Sequence, residues 1–143
     1  MERTKLIRKA VDFLKGNETT HLVTVKAGFP LLRPMGALLL DREKIYVCTG
    51  ASSRKIKQIE ADRHVALYAY SEKKQIYCTI SGFGKMRNEK NLRKKFWKKD
   101  FAQYFPKGVD DPEYCFIEIE PRCIDYVDYS KGFDKPRICL ELW

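Results

Sequence analysis

Leu31-Leu32-Arg33-Pro34-Met35-Gly36-Ala37-Leu38-Leu39-Leu40 is an apolar run interrupted by one cation, one proline and one glycine. Soon after it comes Thr49-Gly50-Ala51-Ser52-Ser53-Arg54-Lys55. The first stretch reads as a strand. The second reads as a strand end that turns through small polar residues into a helix. A helix start presents unpaired N–H groups and the positive end of the macrodipole, so anions settle there. Two hydroxyls and two cations at that point, joined by an arginine from a neighbouring strand, form the residue set that a phosphate group needs.

Working outward, residues 4–15 carry Leu6, Ile7, Ala10, Val11, Phe13 and Leu14 at helical spacing, closed by Gly16-Asn17. Short runs with β character follow at 20–26, 31–40, 45–49, 65–70, 76–86, 114–119 and 124–129. Turn-forming stretches separate them: Ala27-Gly28-Phe29-Pro30, Asp41-Arg42-Glu43-Lys44 and Ser71-Glu72-Lys73-Lys74. Helices are predicted over 53–61 and 88–103, the second followed by a loop rich in Pro, Gly and Asp over 105–112. Short links between most of six or seven strands predict a mainly β fold, an antiparallel barrel with peripheral helices. A single domain over 1–143 is expected.

The chain has 143 residues and a formal net charge of +9. That balance favours anionic partners: nucleic acid, membrane surface or a phosphorylated small molecule. The densest basic run is Arg93-Lys94-Lys95 with Lys98-Lys99, and its interleaved Leu92, Phe96 and Phe101 make it read as the solvated face of a helix. No zinc-finger, helix-turn-helix or RNP-like motif supports the alternative, a nucleic-acid-binding module using helix 89–103. No apolar run approaches the roughly 20 residues of a membrane span. Cys48, Cys78, Cys115, Cys123 and Cys139 are dispersed without a CxxC pair, which reads as reduced thiols in a cytoplasmic protein. His21 and His64 are the only histidines, so a metal hydrolase is not expected and no metal site is assigned.

The ordered set resembles the pyridoxamine 5′-phosphate oxidase-like flavoprotein superfamily: helix, strand, turn, Arg-Pro-Met-Gly-Ala strand, strand ending in Thr49-Gly50, then Ser53-Arg54-Lys55 at a helix start. The Tyr104-Phe105-Pro106-Lys107-Gly108-Val109-Asp110-Asp111-Pro112 loop is similar to the general stress protein branch. The resemblance covers about 11–128 and leaves the tail 131–143 outside. It implies a split β-barrel, a homodimer, and FMN bound in clefts between subunits. It also implies that Arg33 reaches the phosphate, that Pro34, Met35 and Gly36 run beside the isoalloxazine ring, and that Cys48 and Thr49 touch the flavin. Ser53, Arg54 and Lys55 match the phosphate-binding turn, and Tyr77 is a candidate for the ring's edge. Gly36 and Gly50 suit close approach of a flat ring or phosphate to the main chain. Haem and deazaflavin are alternative ligands of the same barrel.

Each residue also has a plainer use. Ser52-Ser53 is a common helix cap, with Arg54 and Lys55 as solvated first-turn residues. Pro34 fits an edge strand, Met35 a core gap, and Arg33 a structural ion pair. The departures from the resemblance matter as well. Leu38 stands where true pyridoxamine 5′-phosphate oxidases carry Lys, and the tail has no Arg-x-His-type motif, which argues against vitamin B6 oxidation. The two histidines do not match the functional histidine of the nitroimidazole-reductase branch. The expected function is an FMN-dependent oxidoreductase with an unknown small-molecule electron donor and acceptor. The alternatives are a non-catalytic stress protein that binds or senses flavin, and a nitroimidazole-reductase-like enzyme.

Overall fold

The structure is a computed structural model that describes residues 2–17, 19–36, 38–132 and 138–141. Seven strands follow one antiparallel path in the order β2-β1-β5-β6-β7-β4-β3, and an eighth pairs with β7. Their ranges are β1 Thr20–Lys26, β2 Phe29–Met35, β3 Leu38–Asp41, β4 Lys44–Gly50, β5 His64–Ser71, β6 Ile76–Arg87, β7 Tyr114–Asp128 and β8 Ile138–Glu141. Among the described residues the end strands β2 and β3 are not paired to each other, so the curled sheet is a split barrel.

Helix α1 (Arg3–Lys15) packs on β3, β6 and β7 through the stripe the sequence shows: Leu6, Ile7, Ala10, Val11, Phe13 and Leu14 are all buried. Its last carbonyls are satisfied by side chains, with Thr20 Oγ1 donating to Leu14 O (2.9 Å) and Asn17 Nδ2 donating to Phe13 O (2.5 Å). Helix α2 (Arg54–Ala61) buries Ile56 and Ile59 against β1 and β6. These join Leu22, Ile45, Val47, Leu67, Ile80, Ile117, Ile119 and Ile124 in one core.

β4 and the first half of β7 are covered on both faces. Cys115, Ile117 and Ile119 point into the barrel core, whereas Tyr114 and Phe116 join Leu39, Tyr46, Phe101 and Phe105 in a second cluster. That double burial explains the near-continuous apolar run at 114–119. The second cluster is closed by α3 (Lys90–Phe96) and a 3-10 turn at Lys99–Gln103.

Three boundaries differ from the sequence expectation. The run 31–40 holds two strands, because β2 pairs with β1 whereas β3 pairs with β4 at the far end of the sheet. Residues 114–128 form one strand: Pro121 sits in a bulge where Ser81 pairs with Cys123, Gly82 pairs with Pro121, and Arg122 is the extra residue. The helix expected over 88–103 ends at Phe96. The tail contributes β8, paired to Cys123–Tyr126 beside β4's position on the same edge of β7. Ala37, Leu142 and Trp143 lie outside the described residues.

Candidate functional site

β4 ends at Gly50, whose partner across the ladder is Tyr114. The turn that follows is fastened to the residue before that tyrosine. Ala51 N donates to Glu113 O (2.9 Å), while Ser52 N and Ser52 Oγ donate to Glu113 Oε2 (3.1 and 2.8 Å). Ser52 is therefore committed to the turn and does not cap α2. Ser53 is the N-cap residue, yet its side chain makes no capping bond, and its Oγ is buried without a hydrogen-bond partner. A buried hydroxyl left unpaired costs free energy on the order of 1–3 kcal/mol, which a ligand at the helix start would recover.

Three cations converge there. Lys55 Nζ donates to the buried Thr49 Oγ1 (2.9 Å), which holds the ammonium against the end of β4. Arg33 lies on the barrel-facing side of β2; its Nη2 donates to Gln58 Oε1 (3.1 Å) and its Nη1 to Leu22 O (3.3 Å). Arg54 opens the helix and is exposed. Burial first, then the charge of Arg54, lowers the Arg33 pKa. Burial first, then the charge of Arg33, lowers that of Lys55. Among the described residues none of the three forms an ion pair with a carboxylate. The structural ion pair considered for Arg33 is absent from the described residues, and the helix cap considered for Ser53 is not made. Gathering like charges beside an unpaired hydroxyl and a helix N-terminus raises the energy of the ligand-free protein and favours an anion.

Beside this seat, Gly36, Cys48, Thr49, Gly50, Phe101 and Phe105 line a cavity of about 500 Å³, with Tyr104 and Glu113 at its wall. Apart from its chain neighbours, no atom of the described residues lies within 4 Å of where a Gly36 Cβ would stand, so the main chain there is open to a flat group. Burial first, then Cys115, pushes the Cys48 thiol pKa up to about 12, which disfavours the nucleophilic thiolate.

The structure thus brings Arg33, Thr49, Ser53, Arg54 and Lys55 together, with Gly36, Cys48 and Gly50 on the adjoining cavity. Met35 packs against the barrel core, and Pro34 is exposed on the other face of edge strand β2, paired with His21. Tyr77 stands apart from these residues within the chain. It pairs across β6–β7 with Val127, whereas Cys48 pairs across β4–β7 with Phe116, near the opposite end of β7. Its ring faces Tyr68 (6.1 Å) and Tyr129 (5.8 Å) in a separate cavity. Gln58 and Glu113 position the site and were missed by the sequence reading. Gln58 had a usable signal, being one helical turn beyond Arg54; Glu113 had none, since its role depends on β4–β7 pairing.

The basic run has structural duties. Arg93 stacks on the Tyr114 ring (5.4 Å) and donates through Nη2 to Asp111 O, while Lys95 pairs with Asp41 (2.8 Å). No helix among the described residues is long and apolar enough to cross a membrane.

A split antiparallel barrel with a cluster of cations at the start of its second helix is the architecture the resemblance implies. The family description "Pyridoxamine 5'-phosphate oxidase like" matches residues 5–136, and the chain belongs to that family. It is similar to General stress protein 26 of Bacillus subtilis, at 28% identity over 99% of this chain and 100% of that protein. The crystal structure of General Stress Protein 26 from Bacillus anthracis superposes with a TM-score of 0.78, at 25% identity, over 99% of this chain and 100% of that one. The general stress FMN/FAD binding protein from Xanthomonas citri shares the fold, with a TM-score of 0.71 at 20% identity over 87% of this chain and 89% of that one.

Proposed function

We propose that this protein binds FMN and acts as a flavin-dependent oxidoreductase, with the FMN phosphate held by Arg33, Ser53, Arg54 and Lys55. The observation that carries the reading is the convergence of three cations, none ion-paired to a carboxylate, on the unpaired Ser53 hydroxyl at the start of α2. The family and the FMN/FAD-binding relative support it. Arg33 can grip a phosphate with two parallel N–H bonds, Lys55 adds a point charge, and Thr49 fixes where that charge sits. Gly36 lets a ring lie against the main chain, and Phe101, Tyr104 and Phe105 screen the cavity from water. Bound FMN supplies the electron-transfer chemistry, and the protein supplies binding and orientation.

The working form in this reading is a homodimer. The outer face of β1, β2, β5 and β6 carries Val23, Leu32, Ala66 and Tyr70, and Leu32 is 62% exposed, so a second copy has an apolar surface to cover. Tyr77 lies on that same face, where it would meet the partner's flavin. The free thiols Cys48, Cys78, Cys115 and Cys123 fit a cytoplasmic setting.

Titration of the purified protein with FMN, followed by flavin fluorescence with riboflavin as control, tests the seat. Tight FMN binding with much weaker riboflavin binding is expected; equal affinities, or none, would remove the phosphate from the reading. Oxidation of reduced nicotinamide by the loaded protein, with an artificial acceptor, tests the activity.

A further inference from the structure

The outer face of the sheet holds a further cavity, of about 290 Å³, at the end where His64 pairs with Phe83. Its lining is apolar at Val23, Val25, Ala66 and Phe83. Arg122, His64 and Ser81 supply its polar side chains, and among the described residues no carboxylate lines it. Arg122 reaches this cavity because it is the extra residue of the β6–β7 bulge. Alternation along a regular strand would put it and its neighbour Cys123 on opposite faces; the bulge turns its guanidinium onto the Phe83 ring, 5.4 Å from the centroid. Arg63 stacks on the same ring (4.9 Å), and the His64 ring packs beside it (5.3 Å), so the wall is braced. Arg122 Nη2 is ion-paired with the exposed Glu120 Oε1 (2.9 Å), but Arg122 Nε is buried and has no hydrogen-bond partner among the described residues. A buried N–H without an acceptor is costly, and an incoming acceptor removes that cost. The His64 ring is fixed at the wall by Asp62 Oδ1, 2.7 Å from its Nδ1.

We propose that this cavity is a binding site for a small carboxylic acid with a compact apolar body, its carboxylate on Arg122 Nε and its body against Val23, Val25, Ala66 and Phe83. An apolar hollow with one convergent charged donor is the composition of a small-molecule site. Arginine suits a carboxylate best, since its planar N–H groups match the two oxygens and the charge strengthens each bond. The body is needed as well: a bare anion would leave the apolar lining in water, and a neutral hydrocarbon would leave Arg122 Nε without an acceptor. The site is distinct from the flavin seat. Helix α2 begins at the seat, capped by Ser53, and ends at Asp62, directly before Arg63 and His64, so its length of about 12 Å at 1.5 Å per residue lies between them. The inference therefore does not rest on flavin binding.

Calorimetric titration of the purified protein with benzoate tests this, with acetate and benzyl alcohol as controls for the body alone missing and the charge alone missing. The titration is repeated with saturating FMN present, and on Arg122→Gln and Ala66→Leu, which remove the charge and narrow the cavity respectively. Benzoate should bind saturably, about tenfold or more tighter than either control. Each substitution should weaken it by about tenfold or more, the loss of one charge-assisted contact or of the space for the ring, and FMN should leave it within about twofold. In the wild type, nitrogen-15 NMR should show the Arg122 Nε–H resonance moving as benzoate is added, a readout that needs no variant to fold. No benzoate binding by the wild type, an unmoved Arg122 Nε–H resonance, or an affinity indifferent to Arg122→Gln would overturn the site. So would displacement of benzoate by FMN, which would place the acid in the flavin seat instead.

Discussion

Replacing Arg33 with methionine separates a residue that holds the fold from one that holds a ligand. In the ligand-free protein the guanidinium gives two hydrogen bonds, to Leu22 O and Gln58 Oε1. Each contributes on the order of 1 kcal/mol. Losing them strands little, because Gln58 Oε1 also accepts from Thr24 Oγ1 (2.6 Å). Against that loss stands relief from a half-buried charge facing Arg54 and Lys55, the two effects that lower the arginine's pKa and its neighbour's. The net change in stability should be within about 1 kcal/mol, a melting shift of about 3 °C for a chain of this size. The phosphate contact is a different matter. A charge-assisted hydrogen bond is worth about 1.5–3 kcal/mol, so Arg33→Met should weaken FMN by about 10- to 150-fold. Riboflavin, which lacks the phosphate, should bind both proteins alike. Fluorescence titrations with both flavins and a melting curve without ligand are the assay. Equal losses for FMN and riboflavin, or a melting drop above about 10 °C, would show that Arg33 supports the fold and not the anion.

Gly82→Ala places a Cβ into the backbone carbonyl of Glu120 at the β6–β7 bulge, so the strands must part there. A loss of about 2–4 kcal/mol is expected in a denaturant titration, and an unchanged midpoint would mean the bulge can relax. Burial pushes the thiols of Cys48 and Cys78 up to about 12 and that of Cys115 to about 11, so all three should alkylate far more slowly than glutathione at pH 8; rapid labelling of Cys48 would show its cavity to be an activating one. The Asp111 carboxylate accepts from Glu113 N (3.0 Å) and Lys107 N (3.1 Å), which hold its pKa below the ordinary aspartate value of 3.8. Its contribution is therefore complete above that value and is lost as pH falls through the lower folded one. Asp111→Asn should make the 105–113 loop easier to cleave with protease at pH 7, and the difference from wild type should vanish in acid.

Local signals survived folding where one element decides its own environment. The α1 stripe is buried residue for residue, and Arg33, Ser53, Arg54 and Lys55 meet as their types suggested. Signals failed where a distant partner decides. Nothing within 31–40 says that its halves belong to opposite ends of the sheet, although Pro34 and Gly36 mark the neighbourhood of the break. Pro121 reads as a strand end because it has no N–H to donate; the bulge opposite Gly82 removes that need. The helix expected over 88–103 stops where Trp97 turns to pack on Tyr114 (5.2 Å) and Phe101 (6.0 Å), a gain that outweighs further helical bonds. Ser52 was a fair cap from its neighbours alone, and only Glu113, sixty-one residues on, gives it another task.

That last link bears on when the proposed anion seat can first form. The turn carrying Ser53 is pinned by Glu113, and β4, which carries Thr49, is laid against 114–119. A ribosome that has just finished α2 has made every residue of the proposed anion seat, yet the turn before Ser53 and the strand bearing Thr49 still lack the partners that fix them. Completion of the proposed seat must wait until about sixty more residues, and then the stretch hidden in the exit tunnel, have emerged: some seconds at 5–20 residues per second. A nascent chain stalled before residue 113 should be blind to phosphate, and one released past 119 should not.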